Sequence, residues 1–174
     1  MIRIAISGSH STGKSTLLKA LAEKLAAQSK RVGVAIEPIR AVAWRQKNSK
    51  DQRTIYLNLL AEHFRRLRVT ENVDIAIYDR SLFDFRAYLQ TDAPAETELI
   101  ELTNELLPYY ATEFDLFLFL PLEISLIADG HRPTDEAYRK KVDIELRALI
   151  AKADRKSTRL NSSHVSESRM PSSA

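Results

Sequence analysis

The chain contains no cysteine. It can therefore build neither a disulfide framework nor a thiolate metal site. It has no apolar run approaching the roughly 18 residues that a membrane-spanning helix requires, so nothing is expected to cross a bilayer. The N-terminus passes straight into a strand-like segment. A basic region, a long apolar core and a cleavage site are not seen there, so no signal peptide is read and the cytoplasm is the expected compartment. Internal repeats are absent too.

A dominant charge is also lacking. The formal net charge is +3, but residues 154–174 carry four basic and two acidic side chains, which leaves the rest of the chain at +1. A global electrostatic case for binding DNA or RNA fails on that balance. What remains is ordinary for a globular protein: 174 residues, 44% hydrophobic and 28% charged, enough for one domain with one core.

From Asp154 onward the text becomes DRKSTRLNSSHVSESRMPSSA. It is Ser-rich, has few large apolar residues, and shows neither helical nor strand period, the composition of a disordered tail. Asp154 to His164 also resembles the translation of a common sequencing-library adapter. On that resemblance residues 154–174 are set apart from a domain at 1–153, and the natural chain is expected to be longer.

The most informative stretch is Gly8-Ser9-His10-Ser11-Thr12-Gly13-Lys14-Ser15, which reads G-x-x-x-x-G-K-S. It follows an apolar, β-branched segment, Ile2 to Ser7, and precedes a helical pattern with Leu17, Leu18, Leu21 and Leu25 expected on one face. Triphosphate oxygens need many donors and no opposing side chains. Gly8 and Gly13 can adopt backbone angles closed to other residues, so that successive N–H groups turn inward as an anion nest. A helix starting near Lys14 adds its positive dipole end. In this pattern Ser11, Thr12, Gly13 and Thr16 cradle the nucleotide, Lys14 reaches the β- and γ-phosphates, and the Ser15 hydroxyl binds Mg²⁺. The cofactors expected are ATP and Mg²⁺.

Further along, Arg31 to Glu37 reads as a second strand stopped by Pro38. Glu37 then stands at the carboxyl end of a parallel strand, where such folds bind ligands, and could take a proton from an attacking hydroxyl. Residues 40–53 are polar and basic around Trp44, either a substrate loop with a stacking face or a solvated connection with the indole packed beneath it. Tyr56, Leu60, Phe64 and Leu67 give an amphipathic helix. Arg65, Arg66 and Arg68 near its end suit the helix dipole and nothing more, and His63 is read as packing. Val73 to Tyr78 is a third strand, with Asp79 placed to hold Mg²⁺ beside Ser15 and Arg80 placed to clamp a phosphate or substrate. Residues 83–95 are read as a loop without a legible code. Leu99, Leu102, Leu106 and Tyr110 mark a core-facing helix from about Glu96 to Thr112, with Pro108 suggesting a kink or early stop. Asp115 to Leu120 is a fourth strand, apolar on both faces. Thr134 is placed to cap the last helix, whose core face carries Tyr138, Val142, Leu146 and Leu149. Arg132, after the fourth strand, and Arg139, one turn into that helix, are the candidates for stabilising charge on a transferring phosphoryl group.

The G-x-x-x-x-G-K-S loop at 8–15 (the P-loop), Glu37-Pro38 and Asp79-Arg80-Ser81 stand in an order that resembles the P-loop kinases of small molecules, especially the deoxynucleoside kinases. The segment ADGHRPTDEAYRKKVD resembles instead the compact AAA-type ATP-binding domains akin to the ribosylnicotinamide kinase domain of bacterial NAD-synthesis proteins. The resemblance implies a three-layer α/β fold with a parallel sheet in order 2-3-1-4, and a fifth strand that this chain lacks. It implies ATP- and Mg²⁺-dependent phosphoryl transfer to a nucleoside-like acceptor, with Lys14, Glu37, Arg80 and Arg132 in catalysis and Ser15 and Asp79 at the metal. It implies neither a membrane nor a nucleic-acid partner, and it is compatible with a homodimer. The alternative reading is a nucleotide-dependent regulatory ATPase with no small-molecule acceptor.

Overall fold

The structure, a computed structural model, describes residues 1–39, 51–68, 72–123 and 135–154. Four strands form one parallel sheet: β1 (Ile2–Ser7), β2 (Val32–Ala35), β3 (Ile75–Asp79) and β4 (Leu116–Phe119), in the order β2-β3-β1-β4. The expected order of strands is thus the observed one. The helices are α1 (Lys14–Ala26), α2 (Gln52–Arg66), α3 (Leu82–Asp92), α4 (Thr97–Ala111) and α5 (Glu136–Asp154). β1 lies in the middle, with Ile4 opposite Ile77 on one side and Leu116 on the other.

The period of two in the strands makes the three layers. Ile4, Ile6, Ile75 and Ile77 point to one face and pack under Leu18, Leu21 and Leu25 of α1. Ala5, Ala35, Ala76 and Tyr78 point to the other face, where α2 to α5 supply the larger core. Three alanines in that face let the helices approach the sheet closely. Phe114, Phe117, Tyr78 and Tyr110 fill the remaining space with edge-on and tilted ring pairs 5.0–5.1 Å apart.

Several details differ from the sequence reading. The strands are shorter, because pairing stops where the chain turns: β2 ends at Ala35, β3 begins at Ile75 and runs through Asp79, and β4 ends at Phe119. Leu17 and Leu102 are exposed rather than in the core. Leu17 lies one position off the stripe that meets the sheet, and in α4 the buried positions are Leu99, Ile100, Thr103, Leu107 and Tyr110. β4 is half-buried along its whole length rather than enclosed on both faces, being an edge strand. Pro108 does not stop α4, which continues to Ala111. Residues 82–92 are a helix, not a loop. Its start carries a capping box in which Ser81 accepts from Phe83 N and Asp84 accepts from Ser81 N. Asp135 caps the first turn of α5 by accepting from Tyr138 N at 3.0 Å. Thr134, Trp44 and Arg132 lie outside the described residues.

Candidate functional site

The turn between β1 and α1 is held open by its own stereochemistry. Gly8 has φ +151°, and a Cβ there would stand 2.7 Å from the Leu120 carbonyl oxygen. Gly13 caps α1 at φ +83°, and Ser11 also lies in the left-handed region at φ +57°. Thr12 donates to Ser9 O at 3.1 Å, which rounds the loop back on itself. Lys14 is buried, and its ammonium bonds Ser9 O and, at 3.1 Å, Thr12 Oγ1. Burial lowers Lys14 to about 7; neighbouring Arg80 pushes the same way, and Asp84, Asp79 and Glu37 oppose it.

A pocket opens over this loop. Its walls are His10 to Thr16 on one side and Glu37, Asp79 and Arg80 on the other. The ends of β2 and β3 thus bring their residues to face the P-loop, as the carboxyl edge of a parallel sheet does. Gly8 is not in the lining. Its N–H turns away and donates to Asp84 Oδ1 at 3.0 Å, so Gly8 serves the shape of the loop.

Arg80 is the centre of the far wall. It has φ +67°, an uncommon conformation for a side chain of this size. Its guanidinium pairs with Glu37, lies 3.7 Å from Asp84, donates to Gly8 O at 3.3 Å, and rests 4.9 Å over the Tyr88 ring. Burial works against its charge, but Tyr88, Glu37 and Asp84 more than offset that and hold it protonated. Asp79 is buried at the mouth of the same pocket. Burial raises its pKa, Glu37 adds to the rise, and Arg80 and Lys14 oppose it. A buried carboxylate whose charge is disfavoured, sharing a pocket with the exposed Ser15 hydroxyl, suits a cation that would restore that charge. Among the described residues no three His, Cys, Asp or Glu side chains gather as a metal cage. Mg²⁺ needs none, since it is usually bound through one or two protein oxygens plus phosphates and water.

Four residues around the pocket escaped the sequence reading in the roles the structure gives them. Asp84, fully buried, ties the P-loop to the Ser81 turn; the Ser-x-x-Asp spacing after β3 was its legible signal. Tyr88 and Tyr138 flank His10, with Tyr138 donating to Asp92 at 2.7 Å and lying 5.8 Å from the His10 ring. Arg66, assigned to the helix dipole, is instead buried and donates to Ala35 O and Asp79 O. Nothing in its local sequence marked it. His63 packs between Phe85 and Tyr110 as read, and burial holds it neutral. Arg139 is buried and donates to Ser11 O at 3.2 Å, placing the first turn of α5 against the P-loop.

A family model described as an AAA domain matches residues 3–169. The chain belongs to that AAA domain family. The match runs past Asp154, where composition drew its boundary. No curated protein matches the sequence. Among solved structures, this AAA domain resembles a deoxyadenosine kinase from M. mycoides with bound dATP. Identity is 18% and the TM-score 0.64, covering 92% of this chain and 89% of that one. It also resembles a thymidylate kinase from Ehrlichia chaffeensis, at 17% identity and a TM-score of 0.63 over 88% of each chain. A third likeness is to the NadR protein in complex with NR, at 20% identity and a TM-score of 0.63, covering 91% of this chain and 42% of that one. At these identities the likeness establishes the fold, a P-loop nucleoside kinase-like one. No described helix of this AAA domain is long and apolar enough to cross a membrane.

Proposed function

We propose that this domain transfers the γ-phosphoryl group of ATP to a hydroxyl of a small nucleoside-like acceptor. The observation that carries the reading is the Glu37–Arg80 pair, set across one pocket from the P-loop. A nucleotide-binding loop needs no such pair to hold phosphates. A transferase needs a carboxylate to aim and deprotonate an acceptor, and a fixed cation to meet charge on the moving group. The named activities of the solved neighbours, kinases of a deoxynucleoside and of a nucleotide, support the same class.

The residues divide the work as follows. Backbone N–H groups of the loop and the N-terminus of α1 bind the phosphate oxygens. Lys14, released from Ser9 O, turns its ammonium to the β- and γ-phosphates. Ser15 and Asp79 would hold Mg²⁺, which supplies charge neutralisation between those phosphates. Glu37 orients the acceptor hydroxyl and accepts its proton as the new oxygen–phosphorus bond forms and the bond to the β-phosphate oxygen breaks, releasing ADP. Arg80 holds Glu37 in place and presents its remaining N–H groups to the transferred group. Arg139 steadies Ser11, and Arg132 is the lid arginine of this reading.

The test is ATP consumption with Mg²⁺ against a panel of nucleosides, deoxynucleosides, ribosylnicotinamide and nucleoside monophosphates. Stimulation by one acceptor, lost in Glu37→Gln with ATP affinity kept, is the expected result. Tight ATP binding that no acceptor stimulates would replace this reading with a regulatory ATPase.

A further inference from the structure

Arg66 is the last residue of α2, yet it is only 3% exposed. One nitrogen, Nη2, donates to two backbone carbonyls, Ala35 O at 2.7 Å and Asp79 O at 2.9 Å. Among the described residues Nε and Nη1 find no hydrogen-bond partner. Its guanidinium lies 5.6 Å over the Tyr78 ring. A buried cation without a bonded carboxylate is costly, and an apolar side chain would fill the space more cheaply. The helix dipole does not ask for burial. What Arg66 does that no apolar residue can is join two strands beyond their ladder.

The last paired residues of β2 and β3 are Ala35 and Tyr78. Past that point no ladder bond joins the two strands among the described residues. Yet Glu37 stands two residues beyond Ala35, and Asp79 one beyond Tyr78, and both must face one pocket. We propose that Arg66 is a positioning residue whose bridge between Ala35 O and Asp79 O sets the spacing of Glu37 and Asp79, and so couples the acceptor carboxylate to the metal carboxylate. Arg66 does not touch the P-loop and meets the pocket wall only at the Asp79 carbonyl. Its loss therefore acts on Mg²⁺ use and on transfer, and leaves the grip of the loop on phosphate alone. The inference rests on the phosphoryl-transfer reading above.

The experiment is binding of a fluorescent N-methylanthraniloyl ATP to the full chain in EDTA and across a Mg²⁺ titration, for wild type and Arg66→Met. Met keeps an unbranched stem that can stay buried and removes the donors. The expected result is EDTA affinity within about twofold of wild type and a Mg²⁺ midpoint raised about tenfold. With an acceptor in hand, kcat falls by a similar factor while KM for ATP holds. A shift in EDTA affinity equal to the shift in Mg²⁺ response would make Arg66 merely structural and overturn the proposal; an unchanged Mg²⁺ response overturns it too. If Arg66→Met does not fold, Arg66→Lys keeps the charge and shortens the reach. A threefold rise in its Mg²⁺ midpoint sustains the proposal, and a wild-type midpoint sinks it. Wild-type protein that binds no nucleotide at all would instead overturn the functional reading from which this one follows.

Discussion

Replacing Asp84 by Ala would test how the P-loop is anchored. Its carboxylate accepts from Gly8 N at 3.0 Å, Ser81 N at 2.8 Å and Ser81 Oγ at 3.0 Å, with no solvent exposure. Truncation removes the reciprocal half of a capping box, worth about 1 kcal/mol. It strands the Gly8 N–H in a buried place, which costs about 1–3 kcal/mol, and loosens the Ser81 turn by a further charge-assisted bond of similar size. Some relaxation and water entry will recover part, so the expected loss is about 3–5 kcal/mol. For a chain of this length that is a fall in Tm of roughly 6–20 °C. Differential scanning calorimetry and urea titration read it directly. Asp84→Asn keeps one acceptor oxygen and the side-chain volume, and should lose about half as much. If Asp84→Ala melts within 3 °C of wild type, with an unchanged urea midpoint, the carboxylate is not the anchor described here.

Other outcomes follow from the same structure. Lys14 near 7 is mostly neutral at pH 8, and bound phosphates raise it, so nucleotide binding at pH 8 should take up most of one proton. Calorimetry in buffers of different ionisation enthalpy measures that number, and a value near zero would contradict the assigned burial. Because the folded-state pKa lies below the ordinary 10.5, the unfolded chain binds more protons between about 7 and 10.5, and Lys14 contributes stability that grows as pH rises through that window; Lys14→Met should flatten the rise. Gly8→Ala forces a methyl to within 2.7 Å of Leu120 O at φ +151° and should cost about 3 kcal/mol or more in urea unfolding. Leu17→Glu should change stability by less than about 0.5 kcal/mol, whereas fully buried Leu146→Ala should cost about 2–5 kcal/mol.

The sequence carried the architecture well because the signals were local and periodic. Apolar runs marked all four strands, β-branched in the first three, and the G-x-x-x-x-G-K-S spacing set the order of strand, loop and helix at the start. Boundaries slipped where the hydrogen-bond ladder, rather than apolarity, ends an element, as at Ile36 and Leu120. Leu17 and Leu102 were misplaced because apolarity was read as burial when each lies just off its helix's stripe. Around the site, Glu37, Asp79 and Arg80 were visible as chemistry at strand ends. Their pairing was not, since Arg80 turns to Glu37, 43 residues earlier in the chain. Asp84 was not singled out, and Arg66 was read only against the helix dipole, because its partners are carbonyls and carbonyls have no residue type.

The docking of α5 on the P-loop has a consequence in time. The loop is made first by the ribosome, but Arg139, which bonds Ser11 O, comes 128 residues later. At about 5–20 residues per second that is a wait of roughly 6–26 s. Asp84 and the Asp115 carboxylate that holds Arg3 N arrive in between, at separations of 76 and 112 residues. The nascent chain thus carries its nucleotide loop without the Ser11 contact until α5 is made, and a chain released short of α5 would lack that contact even with every residue of the motif present.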